Sequence, residues 1–186
     1  SSGSYRLDNS LKYVGRFGPV TARAMYGFGE SAAGAGLQSS RGAGLAYADG
    51  GLTVSGGYQN FKSPAGLDLD AATVGIAYQF GSLRLAANTG RSKAETSAVA
   101  RTEQRVHSVG GTWAATSAID LTASVYRLER KRSGLREDGY TRAILFAEYK
   151  LSRRSKLYAE LDRTQWRSGY QGAANKSTAT GFTAGV

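Results

Sequence analysis

Between Ala72 and Asn88 apolar and polar residues alternate so regularly that an antiparallel hairpin satisfies both halves at once. Val74, Ile76, Tyr78 and Phe80 form one row; Thr73, Gly75, Ala77 and Gln79 form the other. Gly81-Ser82 is a two-residue turn signal. A turn there sets Phe80 opposite Leu83, Tyr78 opposite Leu85, Ile76 opposite Ala87 and Gln79 opposite Arg84. A slip of one residue would mix the two rows, so the register is self-consistent.

Two more segments behave alike. A turn at Asp49-Gly50 predicts Tyr47 opposite Leu52, Leu45 opposite Val54 and Ala46 opposite Thr53. A turn at Arg153-Arg154-Ser155 predicts Leu151 opposite Leu157, Tyr149 opposite Ala159, Ala147 opposite Leu161, Lys150 opposite Tyr158 and Glu148 opposite Glu160. Extended along the chain, the pattern gives eleven strands, at 8–15, 21–29, 43–48, 52–62, 71–80, 83–92, 105–116, 121–131, 140–152, 156–167 and 179–186.

Most of these strands run past the five or six residues usual in soluble sheets, toward the ~9–11 that cross a bilayer. Connections alternate. Short ones fall at 16–20, 49–51, 81–82, 117–120 and 153–155, long ones at 30–42, 63–70, 93–104, 132–139 and 168–178. Short turns at one end and long loops at the other are the habit of outer-membrane barrels. The apolar rows are rich in Ala, Gly and Thr, too shallow to fill a sandwich core. Aromatics gather near both strand ends. Tyr47, Tyr78, Phe80, Trp113, Tyr149 and Tyr158 lie by short turns, and Tyr26, Phe28, Tyr58, Tyr126 and Trp166 lie by long ones. Two interfacial girdles would select this, although Tyr158 is set on the inner row. The fold class expected is all-β, an antiparallel up-and-down transmembrane β-barrel, with residues 1–186 in one barrel domain. The last strand runs down and so does the first. Because bacterial barrels have even strand numbers, eleven strands imply at least one more upstream; Met25 as the only methionine agrees.

Three segments resemble the general porins of β-proteobacteria. Asn9-Ser10-Leu11-Lys12-Tyr13 with Gly18-Pro19-Val20 and Met25-Tyr26-Gly27-Phe28-Gly29-Glu30 is similar to the middle of those proteins. The run from Leu151 to Glu160 resembles the turn before their last two strands, and Thr180 to Val186 their final strand, short of its terminal phenylalanine by a few residues. The resemblance implies a sixteen-stranded homotrimer of the Gram-negative cell outer membrane that passes small hydrophilic solutes. This chain would hold strands six to sixteen, without the inward-folded third loop that narrows the pore.

The charge pattern points the same way. Lys and Arg number 24 against 14 Asp and Glu, a net charge of +10. Lys12, Arg23, Arg84 and Arg142 sit on polar rows, with Glu148, Lys150, Glu160 and Asp162. A charge facing hydrocarbon at mid-bilayer costs ~2–4 kcal/mol, so these eight are expected to line a wet, anion-preferring pore, five positive against three negative. The three carboxylates are expected to pair with nearby bases. Arg127, Glu129, Arg130, Lys131, Arg132, Arg136, Glu137 and Asp138 crowd one strand end and loop, where they can meet lipopolysaccharide phosphates. Ile144 and Phe146 break the pattern by sharing the row of Arg142 and Glu148.

Catalytic chemistry finds no purchase. Cysteine is absent and His107 is the only histidine, which excludes thiolate and multi-histidine metal sites. His107 and Ser108 are adjacent on a strand and so face opposite ways. No enzyme and no cofactor are expected. The competing reading is a soluble basic β-protein that binds nucleic acid or other polyanions. It needs basics and aromatics on one face, whereas here they are spread over most strands and loops.

Overall fold

The computed structural model describes residues 9–29, 36–170 and 176–186. The hydrogen-bonded strands are β1 Ser10–Phe17, β2 Val20–Gly27, β3 Ser40–Asp49, β4 Leu52–Lys62, β5 Asp68–Phe80, β6 Leu83–Glu95, β7 Arg101–Ala114, β8 Ile119–Arg132, β9 Asp138–Lys150, β10 Lys156–Arg167 and β11 Thr178–Gly185. They form one sheet in strict chain order, every neighbouring pair antiparallel. No α-helix occurs among the described residues. Parts of the first and last long connections, and Asn175 of an Asn-Lys-Ser glycosylation pattern, lie outside the described residues.

The β5–β6 register is as the alternation predicts, with Phe80 opposite Leu83, Ile76 opposite Ala87 and Gln79 opposite Arg84. Two other hairpins are shifted by two residues. Asp49 pairs with Leu52 and Tyr47 with Val54, because the turn is Gly50-Gly51. Both glycines hold positive φ, 54° and 83°, the conformation of a type I′ turn. Lys150 pairs with Lys156 and Tyr149 with Leu157, so Glu160 faces Phe146 instead of Glu148. There the turn takes five residues; the Ser152 hydroxyl accepts from the Arg154 and Ser155 amides at 3.1 Å each. A shift of two keeps every side chain on its predicted face.

The outer connections are shorter than the sequence suggests. Three span only 63–67, 96–100 and 133–137. Charged cross-strand neighbours continue the ladder where polarity reads as loop. Lys62 pairs with Asp68, Asp70 with Lys93, and Lys93 with Glu103 in the registers. The asymmetry between the two ends therefore lies in how far the hairpins project beyond their apolar rows.

Following the registers across the sheet puts one row on one face without interruption: Phe17, Val20, Tyr47, Val54, Ile76, Ala87, Val109, Val125 and Ala143. No second layer covers this face among the described residues. Among the described residues thirty large hydrophobic side chains are exposed, and the buried apolar residues are only Ala77, Leu128 and Tyr170. A sheet this apolar on one side requires a nonaqueous environment there. Tyr47, Tyr78, Phe80, Trp113 and Tyr149 share that face at the short-turn end, with Tyr78 and Phe80 rings 4.4 Å apart. The outer girdle is thinner than expected. Tyr26, Phe28 and Tyr58 supply it, with Tyr26 and Phe28 edge-to-face at 5.0 Å, while Tyr126 and Trp166 fall on the polar face by register.

Cysteine substitution in intact membranes tests these faces. Ile76→Cys should resist a charged maleimide that readily modifies Arg84→Cys; equal modification would refute the assignment.

Candidate functional site

The polar face carries more charge than the sequence reading assigned to it. On β1 and β2, Lys12, Arg16 and Arg23 share one side, and Arg84 on β6 shares it four strands away. All four are exposed, and none has an ion-pair partner among the described residues. From β8 to β10 the arrangement is different. Lys150 reaches Asp120 at 2.7 Å and Lys156 reaches Glu148 at 2.8 Å. Arg142 contacts Asp162 at 3.1 Å and Glu160 at 3.8 Å. The expected carboxylate–base pairing is therefore present, but only in this sector.

Of the eight predicted residues, Arg142, Glu160 and Asp162 come together directly. Glu148 and Lys150 each take a partner the sequence reading missed, Lys156 and Asp120. Arg16, Asp120 and Lys156 escaped notice because they sat in or beside segments read as turns. Strand parity alone would have found them once the turns were placed at 18–19, 115–118 and 151–155.

The basic cluster at 127–138 is divided by the sheet. Arg127, Glu129 and Lys131 follow the apolar row outward, while Arg130, Arg132 and Asp138 lie on the polar face. On the apolar side, Glu103 serves both Arg91 and Arg105 at 2.9 Å, and Glu129 serves Arg127 at 2.8 Å and Arg167 at 3.6 Å. These groups begin one step beyond Val125, where that side of β8 stops being apolar.

On the polar side Asp138 has a side chain only 1% exposed. Arg130 binds it through Nε at 2.8 Å and a terminal nitrogen at 2.6 Å, and Arg132 binds it at 2.7 Å. The Arg130 guanidinium also stacks over Tyr170 at 4.3 Å, whose ring lies 5.3 Å from Tyr140. Tyr170 lies just past the end of β10, so this cluster holds that residue against the polar face. It lies beyond the apolar rows of β8 and β9. The Arg130 hydrogen bond, followed by the charges of Arg130 and Arg132, holds the Asp138 carboxyl below its ordinary 3.8 despite burial.

His107 and Ser108 point to opposite faces, as parity requires. The His107 Nδ1 and Thr89 hydroxyl are 2.9 Å apart. Among the described residues, no group of three His, Cys, Asp or Glu side chains is placed to hold a metal.

One apolar face and one charged face, with no second layer among the described residues, are what a membrane barrel wall requires. The sequence matches the Gram-negative porin family over residues 1–168. The chain belongs to that family. It is accordingly an outer-membrane protein of Gram-negative bacteria, and its sheet is a stretch of transmembrane β-barrel. No curated protein sequence matches it. Its fold is similar to OmpT, an outer membrane protein of Vibrio cholerae, at 18% identity and TM-score 0.73, over 84% of this chain and 53% of that one. It is also similar to an anion-selective porin from Comamonas acidovorans, at 20% identity and TM-score 0.73, over 95% and 53% of the two chains. A further porin structure aligns at 15% identity and TM-score 0.68, over 94% and 60%. The chain thus spans little more than half the length of the porins it resembles.

The Asp138 cluster gives a direct test. Asp138→Asn leaves two guanidinium groups facing a neutral amide, and loss of one partner from a buried pair costs about 3–5 kcal/mol. Thermal unfolding in detergent should shift down accordingly. Because the folded-state carboxyl is depressed, its contribution is complete above the unfolded value and disappears as pH falls through the folded one. The gap between wild type and Asp138→Asn should therefore close in strong acid; a gap independent of pH would refute the assignment.

Proposed function

We propose that this chain is wall for an outer-membrane channel through which small hydrophilic solutes and ions diffuse passively, with a preference for anions. The carrying observation is the sorting of charge by face. Lys12, Arg23, Arg84, Arg142, Glu148, Lys150, Glu160 and Asp162 share the polar side, where exposure to hydrocarbon would cost ~2–4 kcal/mol per charge. Residues 1–186 act as one barrel domain, closed by strands of the same porin. No catalytic step is assigned to the wall.

Anion preference rests on the cations that lack partners. Arg142 and Lys150 are neutralised by adjacent carboxylates, so their fields cancel over a few ångströms. Lys12, Arg16, Arg23 and Arg84 are the groups whose field reaches a passing ion. One unit charge about 8 Å from the ion path is worth ~0.5 kcal/mol in water. The same charge favours chloride and disfavours potassium, so Arg84→Gln should lower the chloride-to-potassium permeability ratio of the full-length porin about sixfold in dilute KCl and about twofold near 0.1 M, where the screening length is ~10 Å, read as the reversal potential across a planar bilayer in a KCl gradient. The preference should fade in ~1 M salt, where the screening length is ~3 Å. A wild-type channel that favours potassium at low salt would overturn the anion reading.

Two partners follow. The guanidinium groups of Arg91, Arg105, Arg127 and Arg167 outnumber the two carboxylates they share and stand just beyond the apolar rows. This arrangement suits the phosphates of lipopolysaccharide in the outer leaflet. Replacing Arg105 and Arg127 by Gln should reduce lipopolysaccharide retained through purification, and undiminished retention would refute the contact. A homotrimer is the assembly proposed, supported by the trimer form described for one Vibrio cholerae OmpT structure. Migration of the unheated protein at monomer mass would count against it.

A further inference from the structure

Most of the polar face suits water, but β9 and β10 interrupt it. Phe146 and Tyr158 lie on that face with ring centroids 6.0 Å apart and planes within 23°. Ile144 continues the strip along β9, about 7 Å further on by strand rise. Tyr158 is 36% exposed, and Phe146 and Ile144 are half-buried. The Tyr158 ring lies against Gly185 of β11, where a Cβ would meet it at 2.6 Å, and its exposed part faces away from the wall. A water-facing wall has no use for such a platform in passing small ions.

The surroundings narrow what could use it. Phe146 stands opposite Glu160 and Tyr158 opposite Glu148 in the β9–β10 register, so carboxylates flank the rings diagonally. Glu148 is tied to Lys156 at 2.8 Å, and Arg142 ties Asp162 at 3.1 Å and Glu160 at 3.8 Å. Lys150 with Asp120 completes the sector. Its three cations face four carboxylates, so the local field does not attract an anion. An aromatic carboxylate would gain from the rings and lose to the charges. Each paired group nevertheless keeps N–H donors or oxygen lone pairs free. Flat rings bracketed by fixed, ion-paired donors and acceptors complement a neutral ring with a C–H face and hydroxyl edges.

We propose that the Phe146–Tyr158 platform, with its flanking ion pairs, is a binding site for neutral sugars on the pore wall. This rests on the porin reading and adds a second lane to it. The unpaired cations of β1, β2 and β6 attract anions, while the ion-paired, slightly acidic sector of β8–β10 retains neutral polyols by stacking and hydrogen bonding. The rings offer the apolar faces; Glu160, Arg142 and Glu148 meet the hydroxyls. No covalent step is involved.

The test uses the full-length porin in planar bilayers, with maltotriose as probe. Ion current in KCl should fall saturably as maltotriose is added. Phe146→Ala should raise the half-blocking concentration roughly three- to tenfold, the scale of one lost aromatic contact. Tyr158→Phe, which keeps the ring, should stay near wild type, whereas Tyr158→Ala should follow Phe146→Ala. Current without block in wild type overturns the sugar site and leaves the porin reading standing. Equal block in wild type and both alanine variants overturns it too, as does benzoate blocking at lower concentration than maltotriose. Absence of any current overturns both readings.

Discussion

Backbone hydrogen bonding through ten consecutive antiparallel ladders is the condition on which everything else in this chain depends. In hydrocarbon an unpaired amide or carbonyl costs several kcal/mol, so a membrane-crossing strand must be paired on both edges. The ladders meet that demand for β2 to β10 within the chain itself. They also fix the pleat, and the pleat assigns each side chain to lipid or to water. A core in the ordinary sense is unnecessary, which is why so few residues are buried and why the apolar rows can consist of alanine and glycine.

Strand parity explains how much of this protein can be read without coordinates. The Gly81-Ser82 hairpin is legible to the residue, because its alternation and its turn agree. The shifts at Gly50-Gly51 and at 151–155 were not legible, since a two-residue slide leaves both rows intact and so leaves no trace in the pattern. Outer hairpin length was hidden for a different reason. Lys62, Asp68, Lys93 and Glu103 look like loop in sequence, and only cross-strand partners make them strand. The faces of Lys12, Arg23, Arg84 and Arg142 follow from parity alone. Their division into free and paired cations does not, because it depends on three adjacent strands being in register at once.

That division separates two kinds of surface on what a sequence presents as one polar row. Arg84 stands among threonine, glutamine and glycine neighbours, and its charge acts at long range. Arg142 stands between Asp162 and Glu160, and its charge acts locally, on geometry more than on potential. The same contrast appears at the outer end, where Asp138 is enclosed by Arg130 and Arg132 while Lys131, the next residue along, reaches Glu137 only at 3.7 Å in full solvent. An exposed pair of that kind contributes little to stability.

The pleat carries an evolutionary consequence. Inserting or deleting two residues in a strand or turn slides one row past another and keeps lipid against apolar side chains. The two displaced hairpins differ from the simplest reading by just such a step. A change of one residue within β8, between Asp120 and Val125, would instead turn Asp120 or Ser124 toward hydrocarbon and Leu121 or Val125 toward water over the rest of that strand. Length variation among relatives of this chain should therefore accumulate in even increments inside the wall, and without regard to parity only in the projecting loops.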